Sequence, residues 1–326
     1  MTESDKKAAD KAKRQETRLA RVQGGIAELD LWLRDLVRSG LALLPEQPKN
    51  FWESMAARLV DAQAPGLAQF IYRLRDMDYT TDPLWQEKSF DLITQLWLAV
   101  RSFRQMEAHP PETQADLRTL IGWGTTPKEV MNDPQAETVD DEWLVFARHT
   151  ERTDDITAQR DWLLGRKSGR YACLLHFAYK NMPIESPVWP GRVYPATLAF
   201  FPSAAPQRAV VRQIDPAVPP PASWPEPLPD WGTAEKEWAA LRTRLPWLSF
   251  APLLVADLIP VYDEVAGPQL FDGLGHCVPL LPLTDHMPFF RLLAISGGFP
   301  VTLLLLRTPS GCEATTVRSD GRWILL

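Results

Sequence analysis

Residues 137–147, ETVDDEWLVFA, mark the place where the spacing of apolar residues changes from helical to strand-like. Before this stretch, large apolar residues recur every three or four positions, as they do on one face of an α-helix. From Trp143 onwards they recur every second position, as in Trp143, Val145 and Ala147, which is the period of a β-strand. The change predicts an α+β protein with an N-terminal helical region. Near residue 170 the composition also turns from charged to proline-rich, which predicts two folding units.

The helical region is predicted over residues 22–136. Its first helix ends at Gly40, a residue that accepts the left-handed backbone of a helix C-terminus. Asn50, three residues before Glu53, has the spacing of a capping box for a second helix, and Pro65 suits the first turn of a third. A fourth helix is predicted to carry one persistent apolar face, made of Leu84, Phe90, Ile93, Leu96, Trp97, Val100 and Phe103.

Residues 137–214 are predicted to form antiparallel strands joined as a meander. Within them, residues 165–169 read GRKSG and superficially resemble a phosphate-binding loop. A true phosphate-binding loop has four residues between its glycines and leads into a helix, whereas this segment lies between two strand-like runs. It is therefore predicted to be a hairpin turn.

Residues 215–231, DPAVPPPASWPEPLPDW, hold seven prolines and are predicted to form an extended Pro-rich strap that packs back onto the strands. Thr233 is predicted to cap the helix that follows the strap. Residues 232–326 are predicted to form a small C-terminal α+β unit, with a short helix near 288–295 and terminal strands.

Residues 1–21 form a charged arm with almost no large apolar side chains. The net charge of the chain is -6, so the chain lacks the positive field on which phosphate-backbone binding depends. The N-terminus has no apolar signal stretch, and no apolar run approaches the roughly 20 residues of a membrane span. We therefore expect a cytoplasmic protein that does not associate with membranes.

The residues that bear reactive groups do not form a known catalytic or metal-binding motif. Cys173, Cys277 and Cys312 are far apart, and no His pair has metal-ligand spacing. No GxSxG motif is present. We therefore expect no enzyme activity, no cofactor and no metal. We also consider a hydrolase, which predicts that His176 or His286 meets a carboxylate and a nucleophile in one pocket.

Four tryptophans are candidates for partner binding, because they fall in or near proline-rich segments where an aromatic side chain can anchor an interface. They are Trp189, Trp224, Trp231 and Trp247. The alternative for each of them is packing within the chain.

Several segments resemble the bacterial SWIM zinc-finger family, specifically the region C-terminal to its finger. The longest are GIAELDLWLRDLVRSG at 25–40 and FWESMAARLVDAQAPGL at 51–67. Residues 160–165 (RDWLLG), the strand at 170–177 and residues 295–300 (ISGGFP) continue the resemblance, which spans from about residue 18 to the end.

The resemblance implies an accessory protein that is not an enzyme and that associates with MoxR-type AAA+ ATPases and von Willebrand A domain proteins, whose genes commonly lie beside it. The defining finger, CxCx(n)CxH, is absent from this chain, so zinc binding is not carried over. We expect a protein-interaction or adaptor module that is either an isolated C-terminal region or a variant whose finger lies on another polypeptide. The alternative is a nucleic-acid-binding component, in which Lys11, Lys13 and Arg14 of the charged arm contribute.

Overall fold

A computed structural model describes the backbone of residues 3–153, 155–180, 182–282 and 285–326, and the side chains of these residues from 18 onwards. The chain divides into two compact units, Met1–Thr125 and Thr126–Leu326. The first is helical and the second is rich in strands, so the predicted α+β class is confirmed. The division lies at residue 125, well before the composition change near residue 170.

The first unit consists of amphipathic helices that bury their apolar faces against one another. These helices are α1 (Glu3–Ser39), α2 (Lys49–Asp61), α3 (Pro65–Arg75), α4 (Trp85–Arg104) and α5 (Pro111–Ile121), with short 3-10 helices at Leu41–Glu46 and Met106–Ala108. The backbone of the charged arm from Glu3 onwards is the first half of α1. The side chains of Lys11, Lys13 and Arg14 lie outside the described residues.

The starts of two helices test the predicted capping residues. Pro65 opens α3, as predicted. The prediction of a capping box at Asn50 is wrong, because α2 begins at Lys49 after Pro48. The Asn50 side chain accepts a hydrogen bond from Ser54 instead of capping the helix. None of the helices in the described part of the chain combines the length and apolar character that crossing a bilayer requires.

The second unit begins with α6 (Pro127–Asn132), which Thr126 and Glu129 cap reciprocally, and continues into a closed five-stranded barrel. The barrel strands are β1 (Thr138–Thr153), β2 (Ile156–Gly165), β3 (Tyr171–Tyr179), β4 (Val193–Phe200) and β5 (Arg208–Ile214), in the order β1-β2-β3-β5-β4. A simple meander would pair β3 with β4. Here β4 pairs with β1, and β3 pairs with β5 in parallel. The connection between β3 and β4, residues 180–192, is too long for a tight hairpin, so β4 need not lie beside β3 and can pair with β1.

The turn at residues 165–169 is a hairpin between β2 and β3, as predicted. Its backbone N–H groups at Lys167 and Ser168 both donate to the carboxylate of Asp141, at 3.0 and 2.8 Å, and the Ser168 hydroxyl donates to the same group. Asp141 is buried. The loop therefore wraps around an anion of its own chain.

The rest of the second unit is a six-stranded sheet with two helices. Its elements are α7 (Trp231–Arg244), β6 (Ala251–Asp263), β7 (Gly267–Phe271), β8 (Cys277–Val278), α8 (Met287–Ser296), β9 (Val301–Thr308), β10 (Gly311–Ser319) and β11 (Arg322–Leu325). The strand order is β11-β10-β9-β6-β7-β8. Phe146 and Trp162 of the barrel share a core with Leu254 and Leu304 of the sheet, so the barrel and the sheet form one unit where two separate regions were predicted.

The Pro-rich strap packs against the strands on both sides. Val218 bridges to Val193 of the barrel, and Leu228 bridges to Val255 of the sheet. The strap ends one residue earlier than predicted, because α7 begins at Trp231 and its cap is Asp230, whose carboxylate accepts from the backbone N–H of Thr233. The predicted capping role of Thr233 is therefore wrong.

Candidate interaction site at one end of the barrel

The four candidate tryptophans lie in very different surroundings. Trp224 and Trp231 are 8 % and 5 % exposed and belong to the hydrophobic cores of the second unit. Trp247 is partly buried beside Trp238. Trp189 is 62 % exposed. Burial removes Trp224 and Trp231 from the surface that a partner can reach, which leaves Trp189 as the prominent candidate.

A β-bulge in β1 creates the polar interior of the barrel beneath Trp189. Val145 pairs with Leu163, but the next pairs are Ala147 with Trp162 and Arg148 with Asp161, so Phe146 is an extra residue in β1. An extra residue reverses which side chains face inwards. Ala147 therefore packs with Phe146 in the core outside the barrel, although the predicted alternation placed it on the same face as Val145. Arg148 turns into the barrel.

The carboxylate of Asp161, which is fully buried, gathers donors from β1, from the connection after β3 and from its own strand, β2. Arg148 Nε donates to Asp161 Oδ1 at 2.6 Å. Gln159 Nε2 and Ser186 Oγ donate to Asp161 Oδ2 at 3.0 and 2.7 Å. A buried charge is tolerated only when it is paired and hydrogen-bonded in this way. We call these four residues the Asp161 cluster.

His176 borders the Asp161 cluster without joining it. Its Nε2 atom lies 3.9 Å from Asp161 Oδ2, beyond hydrogen-bond distance, and this buried atom has no hydrogen-bond partner among the described residues. Desolvation lowers the pKa of His176; the Asp161 charge opposes this shift and the Arg148 charge adds to it. The imidazole is therefore held neutral near neutral pH.

This pKa shift predicts how stability changes with pH. Because the pKa of His176 is lower in the folded state than the usual 6.5, the unfolded state binds more protons between those two values, so stability falls as the pH drops below about 6.5. The His176→Gln variant should lose less stability over this range. Urea denaturation of both proteins from about pH 8 to about pH 5 measures the difference; parallel stability curves would contradict it.

The backbone and the side chain of Trp189 are both held in place. The guanidinium of Arg148 lies 5.3 Å from the indole centroid and also donates to Val188 O at 2.8 Å. The Trp189 N–H donates to the hydroxyl of the buried Tyr194 at 3.2 Å. The indole is thus a mostly exposed ring on a fixed support, and Asp161 holds that support through Arg148.

Other large apolar side chains are exposed at the start of β2, the end of β3 and in the connection after β3. They are Ile156, Phe177, Tyr179 and Met182, each more than half exposed. Ile156 and Tyr179 are opposite each other in the β2–β3 ladder. Contiguous exposed apolar side chains of this kind are typical of interaction surfaces.

The hydrolase hypothesis is only partly matched. The structure brings His176, Asp161 and Ser186 together, but Ser186 donates directly to Asp161, whereas in a nucleophilic triad the histidine lies between serine and carboxylate. The other candidate, His286, precedes α8 and contacts the ring of Phe290. The arrangement around Asp161 provides fixed charge and hydrogen bonds, and it does not supply an activated nucleophile.

Cys173 and Cys312 are buried and His276 is held by a carboxylate, whereas Cys277 is exposed. Burial raises the pKa values of the Cys173 and Cys312 thiols to about 12, which keeps both protonated. His276 Nδ1 lies 2.9 Å from Asp272, whose carboxylate also accepts from the backbone N–H of Trp231 at 3.1 Å. Among the described residues, no three His, Cys, Asp or Glu side chains are grouped as metal ligands.

Comparison with known proteins bears on the first unit. No curated protein and no solved structure was found that matches the chain. Residues 17–121 match the family model of the SWIM-associated four-helix bundle domain, and this segment contains most of α1 and all of α2 to α5. The predicted resemblance to the region C-terminal to the finger of SWIM zinc-finger proteins is therefore confirmed for residues 17–121.

Proposed function

We propose that the chain is a protein-interaction module without catalytic activity, and that Trp189 is the anchor of its interaction surface. The observation that carries the proposal is the 62 % exposed indole of Trp189 on the fixed guanidinium of Arg148. Exposed tryptophans that become buried on binding are among the commonest energetic hot spots of protein interfaces. Every side chain of the Asp161 cluster is engaged in hydrogen bonds within the cluster, so none is free to act as a nucleophile, which also favours binding over catalysis.

The rigidity of Trp189 supports this role. Binding costs less when the anchoring side chain is already held in its bound position. The hydrogen bond from the Trp189 N–H to Tyr194 and the contact with Arg148 restrict the indole before any partner arrives. The connection between β3 and β4, which contains Trp189, is also hydrogen-bonded to β1, because Gly191 N–H donates to Val145 O at 2.7 Å.

We further propose that the partners are a MoxR-type AAA+ ATPase and a von Willebrand A domain protein, to which the chain serves as an adaptor. This part rests on the similarity of residues 17–121 to the SWIM-associated domain and on the associations that the family resemblance implies. The exposed apolar side chains at the start of β2 and the end of β3 add further area that suits a folded protein partner.

Substitution of Trp189 tests the proposal. The Trp189→Ala variant should bind the ATPase or the von Willebrand A domain protein at least about 30-fold more weakly, which corresponds to a hot spot of about 2 kcal/mol. Phe299→Ala is the matched control, because Phe299 is a similarly exposed aromatic residue, at 72 %, in the turn before β9. Biolayer interferometry with immobilised full-length chain measures both affinities.

Two results would contradict the proposal in different ways. If neither the ATPase nor the von Willebrand A domain protein binds the wild-type chain, the choice of partners is wrong. If a partner binds and Trp189→Ala weakens it no more than Phe299→Ala does, then the assignment of Trp189 as the anchor is wrong.

A further inference from the structure

The barrel has a weak seam between β3 and β5. Their parallel ladder has only two register pairs, Cys173 with Arg208 and Leu174 with Ala209. By contrast, β3 pairs with β2 along its whole length, from Tyr171 to Tyr179. Beyond Leu174, β3 therefore has a paired edge towards β2 and an unpaired edge towards β5.

The hydrogen bonds of β3 show which backbone groups face this seam. In an antiparallel pair, the N–H and C=O groups of alternate residues point towards the partner strand and those of the residues between them point away. Cys173 N–H donates to Gln207 O, across the seam, and Lys180 N–H donates to Asp155 O, on the β2 side. The N–H and C=O of Phe177 therefore face the seam, where no backbone partner for them exists among the described residues.

A cleft of about 750 Å³ lies along this seam. It is lined by β3 at Leu175 and Phe177, by β5 at Val210 and Val211, and by Ile184 of the connection after β3. Its volume is in the range of ligand-binding pockets, about 300–1,000 Å³. The lining is mainly apolar, and the buried Nε2 atom of His176 adds an unpaired polar group at its inner side.

The charge on the cleft comes mainly from Arg208. Its guanidinium is stacked 4.1 Å from the centroid of Phe201, and within the described chain no carboxylate forms an ion pair with it. Glu185 also lines the cleft but is exposed at the rim. A cation that is partly buried and stacked on an aromatic ring attracts a carboxylate more strongly than a fully hydrated one does.

We propose that this cleft binds an extended, mainly apolar peptide segment of a partner protein, which adds a strand to the free edge of β3 and places an acidic side chain near Arg208. A segment that runs opposite to β3 would also run opposite to β5, because these two strands are parallel, so one peptide forms antiparallel pairs with both. Strand addition of this kind gives affinity through backbone hydrogen bonds and specificity through alternate side chains. The proposal rests on the proposed function, since it names the kind of segment that a protein partner contributes.

The test uses a displayed library of random octapeptides as the probe and the full-length chain as the bait. Enriched peptides should be apolar at alternate positions, contain Asp or Glu, and bind at least tenfold more weakly to Phe177→Glu and to Arg208→Gln. Phe177 is 62 % exposed, so its substitution leaves the core intact even if Arg208→Gln perturbs folding. Phe299→Glu is the matched control, because Phe299 is also an exposed aromatic residue but lies in the turn before β9, outside the residues that line the cleft; it should bind these peptides like the wild type.

Hydrogen exchange supplies a second, independent measurement. In the free protein, the amide of Phe177 should exchange much faster than those of His176 and Ala178, which point towards β2. Addition of an enriched octapeptide should slow the exchange of the Phe177 amide by at least tenfold. An amide of Phe177 that is already as protected as its two neighbours would overturn the proposal.

The outcomes separate this proposal from the proposed function. Library selection that yields no peptide, or peptides whose binding is unchanged in Phe177→Glu, overturns the strand-addition site while leaving the Trp189 surface intact. Loss of peptide binding in Trp189→Ala but not in Phe177→Glu would likewise contradict the seam as the site. Peptide binding that survives Trp189→Ala and is lost in Phe177→Glu supports it, even if the proposed partners are wrong.

Discussion

The Asp161→Asn variant should lose at least about 3 kcal/mol of its free energy of unfolding. The substitution keeps the size of the side chain but removes the negative charge, which leaves the Arg148 guanidinium, 23 % exposed, beside a neutral group. Removing one partner of a buried ion pair typically costs about 3–5 kcal/mol. The new amide N–H₂ group also opposes the donors from Arg148 or from Gln159 and Ser186. Urea denaturation of the full-length chain measures the loss.

The Glu137→Gln variant is the control for this experiment. Glu137 pairs with Arg170 at the same 2.6 Å distance as the Asp161–Arg148 pair, but half of the Glu137 side chain is exposed. Exposed ion pairs contribute about 0–1 kcal/mol, so this variant should remain close to the wild type. Equal effects of the two substitutions would show that the burial of Asp161 does not matter for stability.

The Gly66→Ala variant should destabilise the helical unit by about 2–3 kcal/mol, the upper range for overpacking. A Cβ atom at this position, in the first turn of α3, would lie 1.9 Å from the carbonyl oxygen of Leu120 and 2.9 Å from its carbonyl carbon. These are backbone atoms, so α3 and the end of α5 must move apart. Thermal unfolding followed by circular dichroism should show a lower midpoint than in the wild type.

Gly24→Ala is the matched control, because the same substitution in α1 meets nothing within 4 Å. Alanine favours a helix interior over glycine by about 1 kcal/mol, so this variant should be more stable than the wild type. The two identical substitutions are thus expected to have opposite signs. If Gly66→Ala also raises the unfolding midpoint, the close packing of α3 against α5 is wrong.

The fold class and most element positions could be predicted from the sequence, because they depend on local spacing. The switch of period near Trp143 located the start of the β-rich region, and Pro65 located the start of α3. The predicted apolar face of α4 was too wide. Ile93 and Leu96 are buried, but Phe90 and Trp97 are 59 % and 44 % exposed, since the other helices cover only the centre of the stripe.

The Asp161 cluster could not be predicted, because it depends on the register between strands that are far apart in sequence. The bulge at Phe146 reverses the side on which Arg148 lies, and no local pattern in β1 marks it. The sequence did contain one signal, the polar residues Gln159 and Asp161 at alternate positions of a strand whose next inward residue is Leu163. The connectivity of the barrel was missed for a similar reason, since the pairing of β3 with β5 leaves no sequence pattern.

The central claim is that the Asp161 cluster supports binding by holding Trp189 in place, and a double-mutant cycle tests it most directly. Ser186→Ala removes one donor to Asp161 while sparing the ion pair, and Trp189→Ala removes the anchor. Calorimetric titration with the von Willebrand A domain protein should show that Ser186→Ala weakens binding in the wild-type background and has no further effect once Trp189 is gone. Equal effects of Ser186→Ala in both backgrounds, or unchanged affinity in Trp189→Ala, would contradict the claim.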